Sequence, residues 1–221
     1  MRASFLATIG DISEEEARDY AILITRDECD LIVREVARKL NDYYASRLDD
    51  KPVHLLGLLT GAFYFIALLL PHLRFPYHVH FVKVSSYSGQ VQQNVKLDVT
   101  DIPALGKTEH VVIIDELIDS GNTVYAIKAH VPHAVVCAAF ARQASDREGA
   151  TSRDFTPEFC GYSELPNPAW LIGFGLDDLG IRRGWPHIFV KGGDQEAIFE
   201  FRGRFTRALD ELRASLPVPN W

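Results

Sequence analysis

Cysteine is scarce in this chain of 221 residues, which has three. Cys29, Cys137 and Cys160 are an odd number and their spacing matches no metal-ligand pattern, so neither a disulfide framework nor a zinc site organises the fold. Cys29 and Cys137 fall in apolar patterns as buried thiols, and a reducing compartment, the cytoplasm, is expected. A basic excess is also missing. The 23 lysines and arginines are outnumbered by 30 aspartates and glutamates, a formal net charge of -7, which argues against general nucleic-acid binding and leaves only a local basic patch open. No apolar run is long enough to span a membrane, since the strongest one, Phe63 to Leu70, stops at Pro71. The opening residues, MRASFLATIGDISEEE, lack the apolar core of a signal peptide, and the closing Pro-Asn-Trp is no peroxisomal address. Internal repeats and low-complexity segments are absent. The length fits one domain with an elaboration, two domains at most.

What is present centres on His110 to Ile127, HVVIIDELIDSGNTVYAI. Val111 to Ile114 form a β-branched run that reads as a buried strand of a parallel sheet. Asp115 and Glu116 follow, then Asp119 beside Ser120-Gly121-Asn122-Thr123, then Val124, Ile127 and Val131 at helical spacing. Gly121 lets the chain turn where a side chain would clash. Backbone N–H groups of such a turn favour a phosphate. Carboxylates beside a phosphate cradle repel it unless they accept bonds from something else, such as ribose hydroxyls. An ordinary βα turn capped by Ser120 or Asp119 is the plain alternative; three acids around one turn favour ligand recognition.

Along the rest of the chain, Thr25-Arg26-Asp27-Glu28 is a capping box that opens a helix with Cys29, Ile32, Val33, Val36, Leu40, Tyr43 and Tyr44 on one face. Strands are expected at Val53–Leu59, His78–Val84 and Ala134–Phe140, and a last strand and turn at Trp170–Asp177. Phe63–Leu70 reads as a very apolar helix. His78 and His80 would share one strand face, with no third ligand evident, and read as surface histidines. The polar stretch from Arg142 to Pro168 reads as a loop or small insertion. Ile198, Phe201, Phe205, Leu209 and Leu212 mark a closing helix. Strands alternating with helices argue for an α/β fold with a mainly parallel sheet, whose functional loops gather at the carboxyl ends of the strands.

The segment VVII-DE-LI-DSGNT resembles the phosphoribosyl-diphosphate (PRPP) motif of type I phosphoribosyltransferases: an apolar run, two acids, two apolar residues, then Asp-(Thr/Ser)-Gly-x-Thr. The nearest branch is that of the 6-oxopurine enzymes, the hypoxanthine-guanine phosphoribosyltransferases, in wording closest to a guanine enzyme. Motifs between residues 25 and 190 carry the resemblance. It implies a single domain, 1–221, with a mainly parallel sheet flanked by helices and a small hood over the base site, to which the N-terminal and 160–221 segments contribute. It also implies a homodimer or homotetramer. The implied activity is purine salvage: transfer of phosphoribosyl from PRPP to guanine, or to hypoxanthine or xanthine, giving pyrophosphate and the nucleoside 5′-monophosphate (GMP from guanine). Neither nucleic acid nor membrane is an expected partner.

Residue by residue, the resemblance implies that Ser120, Gly121, Asn122 and Thr123 hold the 5′-phosphate and that Asp115 and Glu116 meet the ribose hydroxyls. Asp119 matches a general base near purine N7. Leu59-Thr60-Gly61 matches a pyrophosphate loop, Ser86-Tyr87 a loop that closes over the reacting centre, and Arg183 a pyrophosphate-contacting arginine, with adjacent Arg182 leaving the register open by one. Trp170 matches an aromatic that stacks on the purine, with a core aromatic as the equal alternative, and Leu171 a residue whose backbone reads the ring edge. Asp177 matches a residue that helps hold Mg2+. The chain departs from the family in four places. Thr60 and Asn122 stand where lysines are usual, Asp-Glu stands for Glu-Asp or Asp-Asp, and Arg142 stands for the lysine that donates to the 6-oxo group. Arg142 as a surface residue is the plain alternative there. Two other classes compete: a non-catalytic nucleotide-binding regulator of the same fold, which would show a basic face, and a phospho-receiver domain, which the Asp-Ser-Gly-Asn-Thr turn does not suit.

Overall fold

Short β-branched and leucine-rich runs that must be covered on both faces dominate the fold, and they pair side by side. The computed structural model describes residues 12–13, 15–49, 51–85, 96–97, 105–142, 155–165, 170–192 and 195–216. Strands β1 (Tyr20–Ile24), β2 (Val53–Leu59), β3 (Tyr77–Ser85), β4 (Lys96–Leu97), β5 (Val111–Ile118), β6 (Val135–Ala141), β7 (Phe159–Tyr162), β8 (Trp170–Ile172) and β9 (Ile188–Lys191) divide between two sheets. The larger has the order β4-β3-β2-β5-β6-β7. Its five strands from β3 to β7 run parallel, and β4 lies antiparallel on the edge of β3. At its centre Val112, Ile113, Ile114, Val136 and Cys137 are fully buried, as strands covered on both faces require.

The described residues also form helices α1 (Arg26–Tyr44), α2 (Ala62–Leu69), α3 (Asn122–Lys128) and α4 (Gln195–Ser215). The capping box of α1 is formed: Thr25 accepts the Glu28 N–H at 3.4 Å and Glu28 accepts the Thr25 N–H at 2.7 Å. Cys29, Ile32, Val33, Val36 and Leu40 then face inward. α4 lies along α1, where Arg202 grips both Glu28 oxygens at 2.8 Å and the Leu23 carbonyl at 3.0 Å.

The smaller sheet has the order β1-β9-β8 and is antiparallel throughout. β1 and β9 add Leu23, Ile24, Ile188 and Val190 to the main core, while Tyr20, Ile172, Trp185 and Phe189 form a second cluster with Ile12 and Ala17. Within 160–221, then, β8 and β9 build the small sheet, β7 extends the large one and α4 packs on α1. No helix among the described residues is long and apolar enough to cross a membrane.

The structure departs from the sequence reading at its strands: β1, β4 and β9 are not among the expected ones, and β5 and β7 differ in extent and place. β5 runs on through Asp115 to Ile118 instead of ending at Ile114, because the ladder to β6 continues from Leu117 to Phe140 and from Ile118 to Ala141. β7 lies inside the stretch read as loop, paired Cys137 to Phe159 and Phe140 to Tyr162.

Candidate functional site at the carboxyl ends of the parallel strands

The strand order fixes where a ligand can sit. From β2 the chain crosses through α2 to β3 on one side; from β5 it crosses through α3 to β6 on the other. Right-handed crossovers in opposite directions place the two helices on opposite faces and open a crevice between β2 and β5. Two acids, a glycine turn and a second glycine loop meet there.

From β2 come Leu59, Thr60 and Gly61. The Leu59–Thr60 peptide is cis, and Thr60 is exposed while Gly61 is buried. A Cβ on Gly61 would stand 1.8 Å from Glu116 Oε1, so the loop backbone lies directly against the carboxylate that β5 presents. The Asp115 and Glu116 carboxyls lie close enough to interact, and the Glu116 N–H donates to Asp115 Oδ1 at 3.1 Å. Burial pushes both carboxyls up, Asp115 most strongly, because its neighbour's charge adds to the desolvation. For Glu116 the rise from burial is eased by the bond to Asp115 and by Arg183, and reinforced by Asp177.

Past β5, Gly121 adopts φ +73° as the N-cap of α3, and no side chain caps the helix. Ser120 and Asp119 are therefore not its caps, although Ser120 Oγ accepts a long bond from the Asn122 N–H at 3.4 Å. A Cβ at Gly121 would also meet Phe155 Cβ at 2.5 Å. Asp119 is exposed, and Arg142 Nε, from just beyond β6, stands 3.8 Å from its Oδ1. The Arg142 side chain is only 10% exposed, which removes the plain reading of a surface arginine.

The loop after β8 closes the crevice. Gly175, at φ +99°, has no room for a Cβ, which would lie 2.2 Å from the Gly61 carbonyl oxygen. Arg183 donates to the Gly175 carbonyl at 2.7 Å and pairs with Asp177 at 2.6 Å. Arg182 turns the other way into a buried network with Asp178 and Tyr20, so Arg183 is the arginine at the crevice. Trp170 is 57% exposed and is not a core aromatic, while Leu171 beside it is buried. Ser86 and Tyr87 lie outside the described residues. Gly175 and the buried network behind Asp177 are absent from the sequence reading; the doubled Asp-Asp and Arg-Arg around Leu179-Gly180-Ile181 are the only trace of the network in the sequence.

The residues fit a divalent cation. Glu116 Oε2 is buried without a hydrogen-bond partner and feels the charge of Asp177. Magnesium needs only one or two carboxylates when water and substrate phosphates complete its shell. No group of three or more His, Cys, Asp or Glu among the described residues could hold a metal by itself. This includes His78 and His80, which are joined by His54 of β2, its Nδ1 2.9 Å from His80 Nε2.

A family model described as "Phosphoribosyl transferase domain" matches residues 27–179. The hypoxanthine-guanine-xanthine phosphoribosyltransferase of Tritrichomonas foetus is 26% identical over 170 residues, covering 76% of this chain and 90% of that protein. The hypoxanthine-guanine phosphoribosyltransferase of Lactococcus lactis is 26% identical over 171 residues, covering 76% and 89%. Among solved structures, the hypoxanthine phosphoribosyltransferase of Trypanosoma cruzi superimposes with a TM-score of 0.63 at 26% identity, covering 78% of this chain and 97% of that one.

Proposed function

The chain belongs to the phosphoribosyltransferase family, and from that premise we propose that it is a purine-salvage enzyme that transfers the phosphoribosyl group of PRPP to a 6-oxopurine, with guanine preferred. The observation that carries this reading is the meeting, in one crevice, of the Asp115–Glu116 pair, the Gly61 backbone, the uncapped Gly121 turn and the Asp119–Arg142 pair.

In this reading the backbone of Ser120 to Thr123 receives the 5′-phosphate, and Asp115 and Glu116 accept the ribose hydroxyls. Leu59 to Gly61 and Arg183 take the diphosphate, and Ser86 and Tyr87 close over the centre. One resting interaction must then exchange: Arg183 leaves Asp177 for phosphate oxygens. Glu116 and Asp177 are the residues that would hold a magnesium ion, which when bound offsets the charge of the leaving diphosphate. As the bond from ribose C1′ to the diphosphate oxygen breaks and the bond to the purine nitrogen forms, the imidazole ring loses a proton, which Asp119 is placed to take or to balance. Trp170 offers its face to the purine, an arrangement worth about 1–3 kcal/mol per stacked base, and the Leu171 backbone meets the ring edge.

Base choice follows from Arg142. A guanidinium only donates, and its fork suits the O6 and N7 edge of guanine. Adenine would set an amino donor against the guanidinium's own donors, a mismatch that can reach about 10⁴-fold in discrimination. The experiment is PRPP-dependent consumption of guanine, hypoxanthine and adenine by the wild type and by Arg142→Ala. Guanine and hypoxanthine consumed and adenine spared, with that selectivity reduced in the variant, is the expected result. Adenine used as well as guanine by the wild type would overturn the base assignment, and no PRPP-dependent turnover would overturn the enzyme.

A further inference from the structure

The loop that carries Asp177 and Arg183 reads Asp-Asp-Leu-Gly-Ile-Arg-Arg from 177 to 183, a pair of acids and a pair of arginines around a tight turn. Asp178 and Ile181 exchange two backbone bonds, at 3.0 and 3.1 Å. Each aspartate then meets one arginine. The outer pair, Asp177 and Arg183, bonds at 2.6 Å with 32% and 26% of the side chains exposed, and it faces the crevice. The inner pair, Asp178 and Arg182, bonds at 2.9 Å with 7% and 8% exposed.

The inner pair is held from outside the loop. Tyr20, from β1, donates its hydroxyl to Asp178 Oδ2 at 2.5 Å and accepts a bond from Arg182 Nη1. Lys191, from β9, reaches both Asp178 oxygens at 3.2 and 2.9 Å. The Arg182 guanidinium lies 5.2 Å from the ring centres of both Tyr20 and Trp185, and its backbone sits at φ +67°. With Arg182 fixed inward, its neighbour Arg183 is directed to the crevice, where it also bonds the Gly175 carbonyl at 2.7 Å.

We infer that Tyr20, Asp178 and Arg182 are positioning residues for the diphosphate end of the site. They touch no substrate themselves. They lock the turn so that Asp177 and Arg183 arrive as a preset pair against Gly61 and Glu116. The inference rests on the proposed phosphoribosyl transfer and adds to it a part for β1, a strand outside the PRPP motif. A turn already fixed in place lowers the ordering cost of binding a diphosphate, and loss of such support behind a binding group commonly costs about 10- to 100-fold in affinity or activity.

The test compares wild type, Asp178→Asn and Tyr20→Phe, each as the full chain, by steady-state kinetics with PRPP and guanine and by thermal unfolding. Tyr20→Phe removes one hydroxyl, keeps the ring against Trp185 and serves if Asp178→Asn does not fold. KM for PRPP is expected to rise about tenfold or more in each folded variant, with KM for guanine within about twofold of wild type. Arg182→Lys, which keeps the charge, should recover part of the PRPP affinity lost in Arg182→Ala. A purely structural network would lower the melting temperature and leave the ratio of the two KM values alone. An unchanged KM for PRPP in a folded variant overturns the inference while the activity stands. A wild type without PRPP-dependent turnover overturns the activity and this inference together.

Discussion

Gly61 and Gly175 face each other across the crevice, and neither has space for a methyl group, but what a methyl would strike differs. At Gly61 it would meet the end of the Glu116 side chain, which can swing away and take its carboxylate out of the site. Gly61→Ala is therefore expected to fold with a melting temperature close to wild type and to lose about 10- to 100-fold in kcat/KM for PRPP. At Gly175 the methyl would meet the Gly61 backbone, at a positive φ, so Gly175→Ala should be destabilised by more than about 1 kcal/mol in urea unfolding. Equal stability of the two variants would contradict this geometry. Asp119→Asn keeps the size of the side chain and removes the proton acceptor. Turnover should fall about 10²-fold or more with PRPP binding retained; a fall in PRPP affinity alone would make Asp119 a binding or structural group. The positions of Asp115, Glu116, Asp119 and Gly121 at the end of β5 are legible in sequence because an apolar run, acids and a glycine turn mark a strand that leads into a helix. The inward turn of Arg182 is not, since nothing in Arg182-Arg183 says which arginine Tyr20 will meet.

Among the elements, the long apolar runs of β2, β5 and β6 and the capped helix α1 announce themselves, because burial on both faces and a capping box leave clear patterns. β1, β7 and β9 do not. Each has only four or five residues, too few for a period, and their pairing is decided by partners distant in sequence. The α1–α4 contact is likewise invisible in the chain, and beside the buried Phe201 and Phe205 it includes the Glu28–Arg202 ion pair. Burial raises the Glu28 carboxyl, but the Arg202 bonds and the Thr25 N–H outweigh it and hold the group below its ordinary value. A depressed carboxylate stabilises the fold above the unfolded pKa of about 4.3, and that stability is lost as pH falls through the folded value. Arg202→Ala should therefore cost about 1–2 kcal/mol at pH 7, moderated because Arg202 is about a third exposed. The gap to wild type should narrow as pH drops below about 4. Urea titrations at both pH values measure it, and a gap that widened in acid would refute the assignment.

At the scale of the whole molecule, the proposed reaction asks one crevice to gather a donor, a base and a cation from loops on two sheets. Activity is accordingly expected to need PRPP and a divalent ion together, and excess chelator should abolish turnover while leaving the melting temperature nearly unchanged, since no described cluster holds a metal as part of the fold. Full turnover in chelator would count against the Glu116–Asp177 assignment. The small sheet sets a further condition, one of timing. β1 precedes every other strand in the chain, but Tyr20 pairs with Lys191 and Ile24 with Ile188. Leu23 and Ile24, fully buried in the finished protein, must wait for a strand made after every strand of the large sheet. The last strand of the large sheet ends at Tyr162, before the loop that carries Gly175, Asp177 and Arg183. The network around Asp178 can close only once Lys191 has been made, after every strand of the large sheet.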